Sequence, residues 1–579
     1  MTFNLGVGPP TSLWLRNLEH GITLIVLGTS LYTICTSSRA LLRSFVAAAL
    51  YLPGVASKLD TVLSKSLEPL AESLAPSRED ALWVLPESGR QPSELLEALE
   101  RSVSKDKAAN GLLGGRSFGG LYHSLDELNN AALFGLHCGV TRQLLDTNSL
   151  YPGLFKTSRW CEAEVVSMVV SLLGGDASGG TGGGLLTSGG SESILLAVKA
   201  HRDAALAGIG FSSGKDNDGK PPILSAALER DVCLTILAGV TCHPALEKAA
   251  ELFGLRLIKL PVDPHTLQLT AATVAAALTP FTALVFASAP GFAHGVVDEI
   301  EGIAGACRAY RGSLVWGTEG DGVPLHVDNC LGGVLLSFLR FQQPQQLPAF
   351  DFSVPGVSSI SCDLHKFAGV PKGASVVAFR SASRRRHAYF ACTSFPGGLY
   401  ATPTLAGSRG GVSAGLAWAT LLYHGAQGYR RAAARVEKVY SDLKAGISGA
   451  GGGKALKLLG AAHACILAFA PSQQACFSHH ALSARMMSRG WQLPVLQNPV
   501  GCHIPVTERL LDTGRRGKAV WEEWLEDLNA CIGEAMENPT DAAFEGKGEA
   551  GLYGATLVLP PGKITDLLGG YLDILTLVR

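Results

Sequence analysis

From residue 234 to residue 380 short apolar runs alternate with helical stretches, and this alternation constrains the fold more than any other feature of the chain. LTILAG (234–239), RLIKLP, TALVFAS (282–288), PLHVDN (324–329), VSSISCD (357–363) and ASVVAFR (374–380) read as strands. Between them HPALEKAAELFG (243–254, closed by Gly254), AATVAAAL and DEIEGIAGACRAY read as helices. Strands that are apolar throughout are buried on both faces, so the pattern predicts an α/β domain with a mainly parallel sheet covered by helices. Upstream, Glu162 to Leu173 and ILLAVKAHRD read as helices joined by a Gly-rich turn, LGGDASGGTGGGLLTSGGSES. Beyond about Gly415 a long helical region, the strand ACILAFA (464–470), a helix near 478–490 and TLVLP (556–560) predict a smaller α+β domain. Phe211–Pro222 and Arg311–Gly322 are polar and Gly-rich and read as surface insertions.

At 579 residues the chain has room for several units, and its composition shifts place boundaries at 1–58, 59–160, 161–415 and 416–579. The first of these contains GITLIVLGTSLYTICTSS, Gly21 to Ser38, eighteen residues without a charge. That lies within the roughly 17–25 residues a membrane-spanning helix needs. Arg39, Arg43, Lys58 and Lys65 follow it, against Arg16, Glu19 and His20 before it. The asymmetry predicts a retained anchor with its C-terminal side in the cytosol, since a cleaved signal peptide carries its basic residues ahead of the apolar run. A shorter apolar stretch, Ser44 to Ser57, contains Pro53 and reads as interfacial.

Composition removes other classes. With 48 Lys+Arg against 49 Asp+Glu the net charge is −1, which excludes a globally basic nucleic-acid binder. Thirteen cysteines without a C-x-x-C pair favour reduced thiols in the cytosol. No H-E-x-x-H and no P-loop motif occurs, and no metal-ligand cluster is legible.

Four features carry candidate chemistry, each with a plainer alternative. Lys366, just past a strand in SISCDLHKFAGVPKG, lies among apolar residues and loop glycines. There it can lose its proton and form a Schiff base with an aldehyde cofactor, or it is a surface lysine beside a turn. Asp328 ends an apolar strand, where a buried carboxylate needs a cationic partner, or it caps the following helix. His243 opens a helix after a strand, placed to stack on a flat ring or simply in a loop before Pro244. The turn Gly189–Ser193 precedes a helix, and its N–H groups with Ser191 suit a phosphate, though many such turns bind nothing.

The order of these features, together with TSGGSESILLAVKAHRD, CHPALEKAAELFG, PLHVDNCLGG, SISCDLHKFAGVPKGAS and GGLYATPTLAGSRGG, resembles the sphingosine-1-phosphate lyase family. That family lies within the fold-type-I group of pyridoxal phosphate (PLP) enzymes that also holds glutamate and aromatic amino-acid decarboxylases. The resemblance runs from about residue 110 to 510. It implies PLP held by Lys366, a ring nitrogen kept protonated by Asp328, His243 stacked on the ring, and Gly190, Ser191 and His365 at the cofactor phosphate. It further implies retro-aldol cleavage of a phosphorylated sphingoid base to a long-chain aldehyde and phosphoethanolamine. Tyr122, Asn148, Tyr151, Lys372 and Arg409 would lie near the substrate, the Arg409 loop serving the neighbouring subunit of a homodimer. By the same resemblance the anchor sits in the endoplasmic reticulum membrane, with 59–160 contributing to the dimer. Tyr151 stands where the family carries a histidine, a phenol of pKa about 10 for an imidazole of about 6.5. Asn329 stands where it carries alanine, and would crowd the ring. An amino-acid decarboxylase of the same fold and an inactive membrane-anchored scaffold are the alternative readings.

Overall fold

The computed structural model describes residues 86–109, 122, 131–175, 182–208, 233–316, 322–342, 347–461, 463–538 and 561–576. The chain forms two compact units. One comprises residues up to 105 and from 537 onward; its described parts include the helix Pro92–Ala109 as far as Lys105 and the helix Pro561–Thr576. The other, Asp106–Met536, carries every strand among the described residues.

A seven-stranded sheet forms the centre of that unit. Its strands are β1 (Gly183–Thr187), β2 (Thr235–Gly239), β3 (Arg256–Leu260), β4 (Thr282–Ser288), β5 (Leu325–Asp328), β6 (Val357–Asp363) and β7 (Ser375–Phe379), in the spatial order β1-β7-β6-β5-β4-β2-β3. From β3 across to β6 all pairings are parallel; β7 alone runs against its neighbours β6 and β1. The period-2 alternation explains why the strands read as unbroken apolar runs. Ile236, Ala238, Leu284 and Phe286 pack with helices α3 (Gly190–Gly208) and α4 (Ala245–Leu252). Leu237, Val285, Ala287 and Val327 face the core of the opposite layer. That layer includes α2 (Lys156–Leu172), α6 (Ile300–Ala309), α7 (Gly333–Gln342) and α9 (Val412–Gly453). Helices α1 (Ala131–Leu144), α5 (Ala271–Ala277) and α8 (Ala382–Arg386) complete this part. A hairpin, β8 (Phe390–Cys392) with β9 (Tyr400–Thr402), leads into α9. An antiparallel sheet follows, in the order β10-β11-β13-β12, formed by Leu456–Leu458, Ile466–Pro471, Val500–Pro505 and Val495–Gln497 respectively. Helices α10 (His479–Ser488) and α11 (Val520–Glu537) belong to this region.

Two expectations need correction. The Gly-rich run before α3 is not all turn, because GGLLT forms β1, paired antiparallel to β7 from Gly183↔Phe379 to Thr187↔Ser375. Its glycines hid the strand, since a glycine-rich segment carries no period-2 signal. Arg311–Gly322 is not wholly a surface insertion: Ser313 and Val315 are buried, and the Trp316 indole donates to the Thr282 carbonyl (3.1 Å). The uncharged run 21–38, the insertion 211–222 and TLVLP lie outside the described residues. No described helix is long and apolar enough to cross a membrane. All the described cysteines are free thiols.

Candidate active site

β6 alternates along its length, with Ile360 and Cys362 in one core layer and Ser359, Ser361 and Asp363 on the other side. The chain then turns sharply, Leu364 and His365 donating to the Ala374 carbonyl, while Gly369, at φ +72°, donates to the Lys366 carbonyl. This turn places Lys366 Nζ 3.1 Å from Asp363 Oδ2, and His365 Nε2 3.4 Å from the same oxygen. Burial pushes the Asp363 carboxyl up, but the imidazole of His365 and the ammonium of Lys366 outweigh it and hold the group at about 2. Burial likewise works against the charge on Lys366, yet Asp363 holds its pKa above the ordinary lysine value. Burial alone therefore does not free Lys366 of its proton, because the anion beside it works the other way. Asp363 was absent from the sequence candidates, although its place at the end of an apolar run is the signal that singled out Asp328.

Gly190 closes on this group. A Cβ there would meet Asp363 Oδ1 and Cys330 Sγ, each at 2.8 Å, so the start of α3 approaches Asp363 as only a glycine allows. Ser188 N–H and hydroxyl both donate to Glu192 Oε2 (2.7 Å), while Ser191 is exposed at the helix start. Tyr122 is buried with its ring edge on Phe367 (centroids 5.1 Å apart) and Lys372 Nζ 5.5 Å from its centroid. Its phenol is raised by burial, with Lys366 opposing. Lys372 is exposed; burial of its stem and the charge on Lys366 lower its pKa.

Asp328, at the end of β5, is buried and accepts through Oδ1 from Cys330 N–H (3.0 Å) and the Ser361 hydroxyl (3.2 Å). Oδ2 has no hydrogen-bond partner among the described residues. Helix α7 begins at Gly333, so Asp328 does not cap it. Past the end of β2, burial pushes the Cys242 thiol up to about 11, with Lys259 opposing and Asp328 adding to the rise. His243 follows, exposed, its Nδ1 accepting from Ala245 N–H (3.1 Å) so that the ring faces stay open. Asn329 does not crowd this side: it is fully buried, and its Nδ2 donates to the Gly333 carbonyl (3.3 Å) at the start of α7.

Asn148, Tyr151 and Arg409 form a separate cluster. Asn148 Nδ2 donates to Ser408 Oγ (3.1 Å), and Ser149 N–H to the Arg409 carbonyl (2.8 Å). Arg409 Nη2 lies 3.0 Å from Glu162 Oε1, and Tyr151 is 59% exposed. A cavity of about 400 Å³ opens among Ser149, Arg159, Glu162, Arg385 and Arg409, and Lys366 does not line it. Among the described residues no hydrogen bond or ion pair joins this cluster to Lys366.

Residues 158–450 match the model of the pyridoxal-dependent decarboxylase conserved domain. The chain is 32% identical to the sphingosine-1-phosphate lyase of Saccharomyces cerevisiae across 80% of its own length and 70% of that protein's. It is 31% identical to the Arabidopsis thaliana sphingosine-1-phosphate lyase across 90% and 86%. The chain belongs to the sphingosine-1-phosphate lyase family. The solved structure of a sphingosine-1-phosphate lyase from Burkholderia pseudomallei superposes with a TM-score of 0.69 at 29% identity, covering 89% of this chain and all of that one. A Lactobacillus brevis glutamate decarboxylase, at 18% identity and TM-score 0.63, shares the fold.

The family's cofactor is PLP, and the residues gathered at this site fit it. Lys366 offers an amine beside a fixed carboxylate, Asp328 an unpartnered carboxylate oxygen, and Gly190 a close backbone approach at a helix start. His365 is already oriented, Nδ1 accepting from Ala374 N–H (3.4 Å) so that Nε2 carries its proton toward Asp363.

Proposed function

We propose that this lyase-family chain cleaves phosphorylated sphingoid bases between C2 and C3, releasing a long-chain aldehyde and phosphoethanolamine. The observation that carries the reading is the convergence of Lys366, Asp363, His365 and Gly190 at the ends of β6 and α3, in a chain of this family. Bound there, PLP supplies the electron sink that carbon–carbon cleavage next to an amine requires. Lys366 would hold the cofactor through its aldehyde, and Asp363 sets the charge of that amine. Asp328 would keep the proton on the ring nitrogen through its free oxygen, and His243 would support the ring. Gly190, Ser191 and His365 hold the phosphate of the cofactor. Lys372 binds the phosphate of the substrate, and Tyr122, whose raised phenol stays protonated, donates a hydrogen bond to it instead of acting as a base.

The substrate joins a phosphate head to a lipid tail, so an enzyme held at a bilayer meets it where it is concentrated. The uncharged run 21–38 and the basic residues after it support an anchor in the endoplasmic reticulum membrane with the catalytic unit on the cytosolic face. The proposed assembly is a homodimer, with 161–415 as the cofactor domain, 416–579 as the small domain, and Asn148, Tyr151 and Arg409 serving the neighbouring protomer's substrate. The test is product analysis with a phosphorylated sphingoid base and the full chain. Long-chain aldehyde from the wild type and none from Lys366→Ala is expected. A wild type that binds PLP yet yields no aldehyde, or that releases carbon dioxide from an amino acid instead, contradicts the proposal.

A further inference from the structure

Behind Asp328, beneath the sheet face covered by α3, runs a file of buried polar side chains that the reading above does not use. Ser361 Oγ donates to Asp328 Oδ1 (3.2 Å), and His326 Nε2 lies 3.3 Å from Ser361 Oγ. His326 Nδ1 is 2.8 Å from Ser359 Oγ, which is in turn 2.9 Å from Nε2 of His201 on α3. Ser359, Ser361, His326 and His201 are all fully buried, and the His326 ring stacks on Phe286 with centroids 5.2 Å apart. So much polarity in a core is costly unless every group is paired in a consistent sense.

The sense is fixed from one end. An aspartate that holds a ring-nitrogen proton is ionised and only accepts. Ser361 must then donate to it, which obliges His326 to donate to Ser361 through Nε2–H. Nδ1 of His326 is left as an acceptor, so Ser359 donates to it and receives the Nε2–H of His201. The file ends there: in this order His201 Nδ1 is an acceptor, and it is the one ring nitrogen of the file without a partner. Burial keeps both imidazoles neutral, lowering His326 to about 4 despite Asp328 and His201 well below the ordinary value. The other titratable groups facing the file are Arg384 and His387 at the His201 end, and Cys242, Cys330 and Lys366 at the Asp328 end.

We propose that His201, Ser359, His326 and Ser361 form a one-way hydrogen-bond relay whose dipoles all point at Asp328, making His326 a positioning residue for the carboxylate that holds the cofactor's ring-nitrogen proton. The inference rests on the PLP reading above. It predicts that a break two links away, at a residue touching neither Asp328 nor cofactor, is felt at the ring.

The test uses the full chain, stripped of cofactor and titrated with PLP, and the holoprotein reconstituted with PLP carrying ¹⁵N in its ring. The wild type should give a protonated-ring ¹⁵N resonance. Ser361→Ala should raise the PLP dissociation constant roughly tenfold and move the resonance toward the unprotonated position. Ser359→Ala should move both in the same direction by less, and Ser361→Thr, which restores the hydroxyl, should return both toward wild type. An unchanged resonance in Ser359→Ala overturns the relay, whatever Ser361→Ala does and even if PLP binds more weakly, because loss of packing alone would produce that. A wild type that binds no PLP overturns the cofactor reading, and the relay with it.

Discussion

At the scale of single residues, Asp363 decides the ionic state of Lys366. Its carboxyl, held at about 2, contributes stability that is present above the ordinary carboxylate value and is lost as pH falls from about 4 through 2. Lys366, raised, contributes in full below about pH 10.4, and that contribution is lost as pH rises through its folded value. Between those limits Asp363→Asn leaves a buried lysine without its partner and should cost about 3 kcal/mol or more. The thermal midpoint of the cofactor-free variant should fall below wild type from about pH 5 to 9, with the gap closing under about pH 4. Freed of its anion, Lys366 should also become nucleophilic at lower pH. The rate of PLP capture by Asp363→Asn should then rise at a lower pH than in the wild type. A capture profile identical to wild type would show that some other group sets the lysine's charge.

At the scale of elements, the sequence was legible where apolar runs met period-2 burial and illegible where glycine replaced them. TALVFAS appears as β4 over the same seven residues, and VSSISCD as β6. Gly183–Thr187 was lost inside a glycine-rich turn because its partner, not its own side chains, makes it a strand. The serine–isoleucine–serine–cysteine–aspartate alternation of β6 carried a second message that the strand reading passed over: one face of a central strand is polar, so something polar must lie opposite it. Helix α9 holds a comparable hidden feature. Gly425 adopts φ +56° and ψ 176°, with open space where a Cβ would stand. Gly425→Ala therefore meets backbone strain without a clash and should destabilise by about 1–3 kcal/mol, read as a lowered thermal midpoint with the PLP dissociation constant unchanged. A midpoint equal to wild type would mean that the helix straightens there.

At the scale of the whole molecule, sequence order singled out Lys366, Asp328, His243 and Gly190 because each lies at or just past the end of a strand or at the start of a helix. It could not divide the candidates between two places. Tyr122 and Lys372 gather at Lys366, whereas Asn148, Tyr151 and Arg409 are tied to one another and to Glu162. If that second cluster serves the neighbouring protomer, Lys366→Ala and Arg409→Ala chains that are each inactive alone should recover about a quarter of wild-type aldehyde production when co-expressed. No recovery would place both residues in the same protomer's site. The proposed chemistry depends on the amine just past the end of β6, and one measurement reaches it directly. The holoprotein is reduced with borohydride, digested, and its peptides are mapped for the pyridoxyl group. The modification is predicted on Lys366, within SISCDLHKFAGVPKG; its appearance on Lys372, or on no lysine of that peptide, would contradict the site described here.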